Sequence, residues 1–185
     1  MRLFVDLAPP AAALDDLDAA CAQLRPGRGD LRWTSPELWH ITLAFLGEVS
    51  EDGLTRLLPR LERAAGRHRP VGLSLAGAGA FPGPARANVL WIGVSGDREG
   101  LGELAMSVDA AARRAGTPPP DAGRRYRPHV TLARCRMPAD VGPVIAELSG
   151  YQGVPWTAEE IYLIRSTLGA QPRYETLGTW KLRTG

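Results

Sequence analysis

Two short stretches of this chain carry the same side chains in the same order. His40-Ile41-Thr42-Leu43-Ala44 returns 89 residues later as His129-Val130-Thr131-Leu132-Ala133. Each reads as a β-strand, in which side chains alternate between faces, so His40 shares a face with Thr42 and His129 with Thr131, while Ile41, Leu43, Val130 and Leu132 point inward. With three His and ten Thr in the chain, two of the three His having Thr at the second following position is roughly a one-in-a-hundred coincidence. An imidazole titrates near neutrality, so a pair of them can take one proton and supply another. The paired hydroxyls can donate to the oxygens of a tetrahedral anion. Cleavage of a phosphate ester needs both capabilities.

Other chemistries find less support. Two distant His without a H-E-x-x-H or Cys/His cluster do not supply the three or four ligands of a zinc site, so no metal and no other cofactor is expected. The chain lacks G-x-x-x-x-G-K-[ST], which argues against a nucleoside triphosphatase. Cys21 and Cys135 are too few for a disulfide framework, and they point to burial in a reducing cytoplasm. His68, in Arg-His-Arg-Pro at the end of a predicted helix, lacks the motif and reads as a cation favourable at a helix C-terminus.

The elements that would position the two motifs can be read from apolar patterning. Strands are predicted near 2–7, 40–46, 71–77, 88–94, 129–134, 159–165 and 174–182. Helices are predicted over 11–24, 51–67, 99–115 and 139–149, and Pro/Gly/Arg-rich loops at 25–30, 78–86 and 117–128. Two strands follow each middle helix, which breaks βαβ alternation and predicts an α+β fold with antiparallel pairing. The order helix, H-x-T-L strand, helix, strand, strand occurs twice. Trp91 and Trp180 each lie 51 residues beyond the motif His, a second marker of two similar lobes within one domain spanning 1–185. An approximate two-fold axis between the lobes would bring both His-Thr pairs across one cleft.

The 185 residues, 44% hydrophobic and 23% charged, suit one ordinary globular domain. No apolar run approaches the ~20 residues of a membrane span, and Asp6, Pro9 and Pro10 interrupt the apolar start, so a soluble, cytoplasmic protein is expected. The net charge of +2 tolerates anionic partners without marking a nucleic-acid groove. Of 22 basic residues 21 are Arg, which fits compositional bias better than a phosphate-binding surface.

LWHITLAFLGEV and RYRPHVTLAR resemble the two signature motifs of the 2H phosphoesterase superfamily, and within it the RNA 2',3'-cyclic phosphodiesterases, also called 2'-5' RNA ligases. MRLFVDL, RWTSPELWHITLAFLG and FPGPARANVLWIGV extend the resemblance over almost the whole chain. It implies a bilobal duplicated fold, two antiparallel sheets flanked by helices around a central cleft, each lobe giving one H-x-T strand. It also implies hydrolysis of RNA 2',3'-cyclic phosphate ends to 2'-phosphomonoesters, and with it reversible 2'-5' RNA ligation. His40 would give a proton to the leaving ribose oxygen, His129 would take one from water, and Thr42 and Thr131 would hold the phosphate.

By the same resemblance Phe45 would contact the terminal nucleotide and Arg134 would stand beside the phosphate. Strand parity is awkward here: five residues beyond His, both side chains fall on the opposite face unless the strand bulges first. Arg124, Arg125, Tyr126 and Arg127 precede the second motif, where cations would attract an RNA end and Tyr126 could stack on a base. Partners are therefore RNA ends or nucleotide cyclic phosphates, with a monomer expected. Two alternatives stay open: a non-catalytic nucleotide or RNA-end binding module, and a phosphodiesterase for a small cyclic phosphate such as a cyclic ADP-ribose derivative.

Overall fold

Along the first strand, β1 (Arg2–Leu7), Leu3, Val5 and Leu7 are wholly buried, and Arg2, Phe4 and Asp6 occupy the other face. The computed structural model describes residues 1–120, 125–167, 169 and 172–183. It continues with α1 (Ala11–Ala22), β2 (Leu31–Trp33), β3 (Ile41–Glu48), α2 (Glu51–Ala65), β4 (Val71–Phe81), β5 (Ala87–Gly96), α3 (Arg98–Arg114), β6 (His129–Ala139), α4 (Gly142–Glu147), β7 (Trp156–Ala158), β8 (Glu160–Thr167) and β9 (Arg173–Lys181). Every long predicted element is present. The short strands β2 and β7, three residues each, are additions that too few residues announce, since their strand character comes from pairing with β6 and β4.

The strands form two wholly antiparallel sheets, ordered β3-β1-β8-β9 and β2-β6-β5-β4-β7. Setting β2 aside, the two orders match place for place: β3 with β6, β1 with β5, β8 with β4 and β9 with β7. The duplicated α+β architecture is thus realised, yet the lobes are not the two halves of the chain. Strands β4 and β5, which follow the first motif, join the sheet that holds the second. Strands β8 and β9 return to the first. Helices α2 and α3 pack together on the four-stranded sheet, and α1 packs against β4 of the other.

This exchange changes the meaning of the tryptophan marker. Trp91 on β5 sits directly opposite Thr131, whereas Trp180 on edge strand β9 lies opposite Ile161, with β1 and β8 between β9 and the first motif. Their equal spacing from His follows chain order and not place in the sheets.

The predicted loop at 78–86 is in part strand, because β4 runs on to Phe81. Gly79, a breaker by residue type, is needed in this strand: it pairs with Trp91, and a Cβ there would lie 2.3 Å from the indole ring. Trp91 is confined by Phe81 and His129, at 5.3 and 6.0 Å between ring centroids, so it has little room to retreat. Gly79→Ala is expected to lower stability by about 1–3 kcal/mol, seen as a lower urea midpoint at unchanged slope. Gly72→Ala on the same strand, where a Cβ meets nothing within 4 Å, should leave the midpoint nearly in place.

His68 lies just past α2, and its Nε2 is 2.7 Å from the Ser107 hydroxyl on α3. Burial lowers its pKa. At neutral pH it is an uncharged bridge between two helices, not the helix-end cation expected from its position. Cys21 is fully buried and Cys135 half-buried, both free.

Candidate active site

Both imidazoles are held in the same way. His40 Nδ1 lies 2.7 Å from the carbonyl oxygen of Leu38, and His129 Nδ1 lies 2.7 Å from that of Arg127, in each case the residue two before the His. A carbonyl only accepts, so Nδ1 carries the hydrogen in the neutral ring and Nε2 is left with the free lone pair. A short 3-10 turn over Pro36–Leu38 presents the first carbonyl, and Arg127-Pro128 presents the second. Two histidines with one fixed tautomer each are suited to proton transfer through Nε2.

Each ring is also walled by aromatics. His40 stacks on Phe4 at 4.7 Å and meets the edge of Tyr174 at 5.5 Å. His129 meets Phe81 at 5.1 Å and Trp91 at 6.0 Å. Desolvation by these walls is the main reason that both histidines titrate below the ordinary value of 6.5. The carbonyl contacts oppose the shift, and the Arg134 cation adds to it at both rings; His129 also depresses His40. The two motifs therefore lie within electrostatic reach of each other and of Arg134. Strands β3 and β6 come into contact, and the Tyr126 hydroxyl donates to the Thr42 carbonyl at 3.1 Å, tying the segment before the second motif to the strand of the first.

The parity difficulty at Phe45 and Arg134 is resolved by a pair of bulges. Asp6 pairs with Thr42 but Val5 with Ala44, which leaves Leu43 without a partner. Trp91 pairs with Thr131 but Leu90 with Ala133, which leaves Leu132 without one. One extra residue after each Thr restores the face of the strand, so Thr42 and Phe45 come to one side, and Thr131 and Arg134 likewise. Burial agrees: Leu43 and Ala44 are buried in succession, as are Leu132 and Ala133. The second bulge is braced by Thr34, whose N–H donates to the Leu132 carbonyl at 2.8 Å.

Thr42, Phe45, Tyr126, Arg127 and His129 line one cleft of 1510 Å³, shared with Phe81, Arg125 and the exposed face of α3. His40, Thr131 and Arg134 are not among the residues that line it; His40 stacks on the Phe4 ring, which in turn stacks on Phe45 at 6.5 Å. Arg2 holds its guanidinium 4.7 Å above the Phe45 ring, and Arg127 lies 5.7 Å from the Phe81 ring centre. Tyr126 is half-buried and its hydroxyl is committed to Thr42, so it serves as a strut with one side of the ring open to the cleft. Arg125 is exposed at the rim; Arg124 lies outside the described residues. Among the described residues no three His, Cys, Asp or Glu side chains are grouped as metal ligands.

The predicted site residues do not include the four aromatic walls, Phe4, Phe81, Trp91 and Tyr174. Phe4 was open to discovery, since it alternates with the buried Leu3 and Val5. Tyr174 was not, because its approach to His40 depends on β9 joining the first sheet.

The model of the 2'-5' RNA ligase superfamily matches residues 9–170. An RNA 2',3'-cyclic phosphodiesterase of Methanothermobacter thermautotrophicus is 30% identical over 163 residues, 86% of each chain. One from Thermus thermophilus is 32% identical over 191 residues, covering 99% of this chain and 91% of that one. Among solved structures, TT0787 of Thermus thermophilus superposes with a TM-score of 0.83 at 30% identity, over 99% of this chain and 98% of that one. Escherichia coli LigT in complex with 3'-AMP superposes at 0.75 with 27% identity and the same coverage.

Proposed function

The chain belongs to the 2'-5' RNA ligase superfamily, and from that premise we propose that it hydrolyses 2',3'-cyclic phosphate ends of RNA to 2'-phosphomonoesters. The observation that carries this reading is the matched pair of imidazoles, each with Nδ1 tied to the carbonyl two residues back and Nε2 free. His129 takes a proton from water as its oxygen attacks phosphorus. The bond from phosphorus to the ribose 3' oxygen breaks, and His40 protonates that oxygen. Thr42 and Thr131 donate to the non-bridging oxygens, and Arg134 offsets their charge. With a ribose 5'-hydroxyl in place of water the same step forms a 2'-5' linkage, His129 taking the hydroxyl's proton and His40 protonating the 3' oxygen; the two exchange roles when that linkage is cleaved.

The size of the cleft favours an oligonucleotide over a lone small cyclic phosphate, since 1510 Å³ exceeds the ~300–1,000 Å³ usual for small-molecule pockets. Its α3 wall carries Glu99, Glu103 and Asp109 against one cation, Arg98, so a polyanion would follow the opposite wall with Arg125 and Arg127. Phe45 offers a face to the terminal base.

Incubation of the protein in chelator with a 2',3'-cyclic-phosphate oligonucleotide is expected to give an end whose 31P resonance is that of a 2'-phosphomonoester. Absence of turnover, with saturable binding retained, would replace the enzyme by a binding module. A faster rate on the mononucleotide than on RNA would move the assignment to a small cyclic phosphate.

A further inference from the structure

By place in the sheets, the counterpart of Trp91 is Asp6. Trp91 stands opposite Thr131, and Asp6 stands opposite Thr42. One motif threonine thus has an indole beside it and the other a carboxyl group. Residues directly opposed in an antiparallel pair share a face, with Cβ atoms ~4.5–5.5 Å apart, and Thr42 lines the cleft. Asp6 is only 5% exposed, and its Oδ1 is buried without a hydrogen-bond partner. Buried polar atoms are seldom left so.

The groups around it come from every neighbouring strand. On β3 stands Thr42; on β8 stands Tyr162, its hydroxyl donating to Glu160 at 2.9 Å. Tyr174 on β9 feels Asp6 as well as the cations Arg2 and Arg134. Burial pushes the Asp6 carboxyl up to about 7.

We propose that Asp6 couples anion binding to its own proton: as a carboxylic acid it donates its O–H to an oxygen of the anion held at Thr42, and as a carboxylate it repels that anion. The inference rests on reading the cleft as a phosphate site. A neutral carboxyl group supplies one donor, whereas its ionised form only accepts, and like charges a few ångströms apart in a desolvated site repel strongly. Burial holds both histidines below their ordinary value and both tyrosines above theirs. Of these groups Asp6 alone is placed to titrate at the foot of a pH 7 to 8.5 window, and the Asp6 variants separate its contribution from that of the histidines.

Sulfate stays a dianion throughout that window, so its affinity, measured by calorimetry, reports the protein's titration alone. The wild-type dissociation constant is expected to rise about tenfold from pH 7 to 8.5, while Asp6→Asn and Asp6→Ala give flat profiles. The 13C resonance of the Asp6 carboxyl should titrate near pH 7 and move upward when sulfate is added. Parallel profiles for wild type and variants, a carboxyl titrating in the ordinary aspartate range, or no sulfate binding at all overturns the inference. Diverging profiles without turnover of a cyclic phosphate would leave it standing and remove the enzymatic reading; turnover with parallel profiles would do the reverse.

Discussion

Replacement of either His40 or His129 by alanine is expected to lower kcat on a 2',3'-cyclic-phosphate substrate by about 10²–10⁴, the usual contribution of a positioned acid or base. Substrate binding should weaken far less, because Thr42, Thr131 and Arg134 remain. The double variant should be little worse than either single one, since the two imidazoles act on one transition state and their losses do not add. The pH profile adds a second signature. One His must be neutral and the other protonated, which gives a bell; burial and the Arg134 cation lower both pKa values, so the maximum of kcat/KM falls on the acid side of 6.5. Raising the pH deprotonates the acid, and lowering it protonates the base. Rate measurements across pH 5–8, with the apparent values assigned to the pair, check this; a maximum above the ordinary histidine value would contradict the desolvated site.

Arg134→Ala carries the second large effect. Loss of a charge-assisted contact to a phosphate oxygen should reduce kcat/KM on the order of a hundredfold. The same change removes a cation that depresses both histidines, so both pKa values must rise and the bell must move to higher pH. Arg134→Lys keeps the charge and should keep the optimum, while losing part of the rate with the bidentate fork. Histidine titrations by NMR separate these outcomes. If Arg134 pointed away from the cleft, as an unbroken strand would require, neither the rate nor the optimum would move.

The direction of Arg134 lies beyond what residue order makes legible, whereas the strand that carries it does not. Periodicity locates the long strands and helices to within a few residues, because their apolar faces are set by local alternation. The short β2 and β7 escape it, and so does the continuation of β4 through Gly79, since these depend on partners distant in the chain: β6 for β2, β4 for β7, and for Gly79 the Trp91 ring that needs a glycine beneath it. His68 departs from its expected role for the same reason, as Ser107 lies 39 residues away.

Amino-acid order alone determined the duplicated H-x-T-L motif, its shared strand face, the α+β class and the side chains on which the proposed acid–base chemistry rests, because these follow from side-chain type and a two-residue period. Tertiary structure decided three further matters. It exchanged strands between the lobes, so that Trp91 and Asp6, not Trp91 and Trp180, are counterparts. It inserted a bulge after each motif threonine, returning Phe45 to the face of Thr42 and Arg134 to that of Thr131. It fixed the tautomer and the desolvation of both imidazoles through carbonyls and rings brought from other strands and turns. Register, bulges and burial belong to pairs of strands, and a single strand's sequence does not contain its partner.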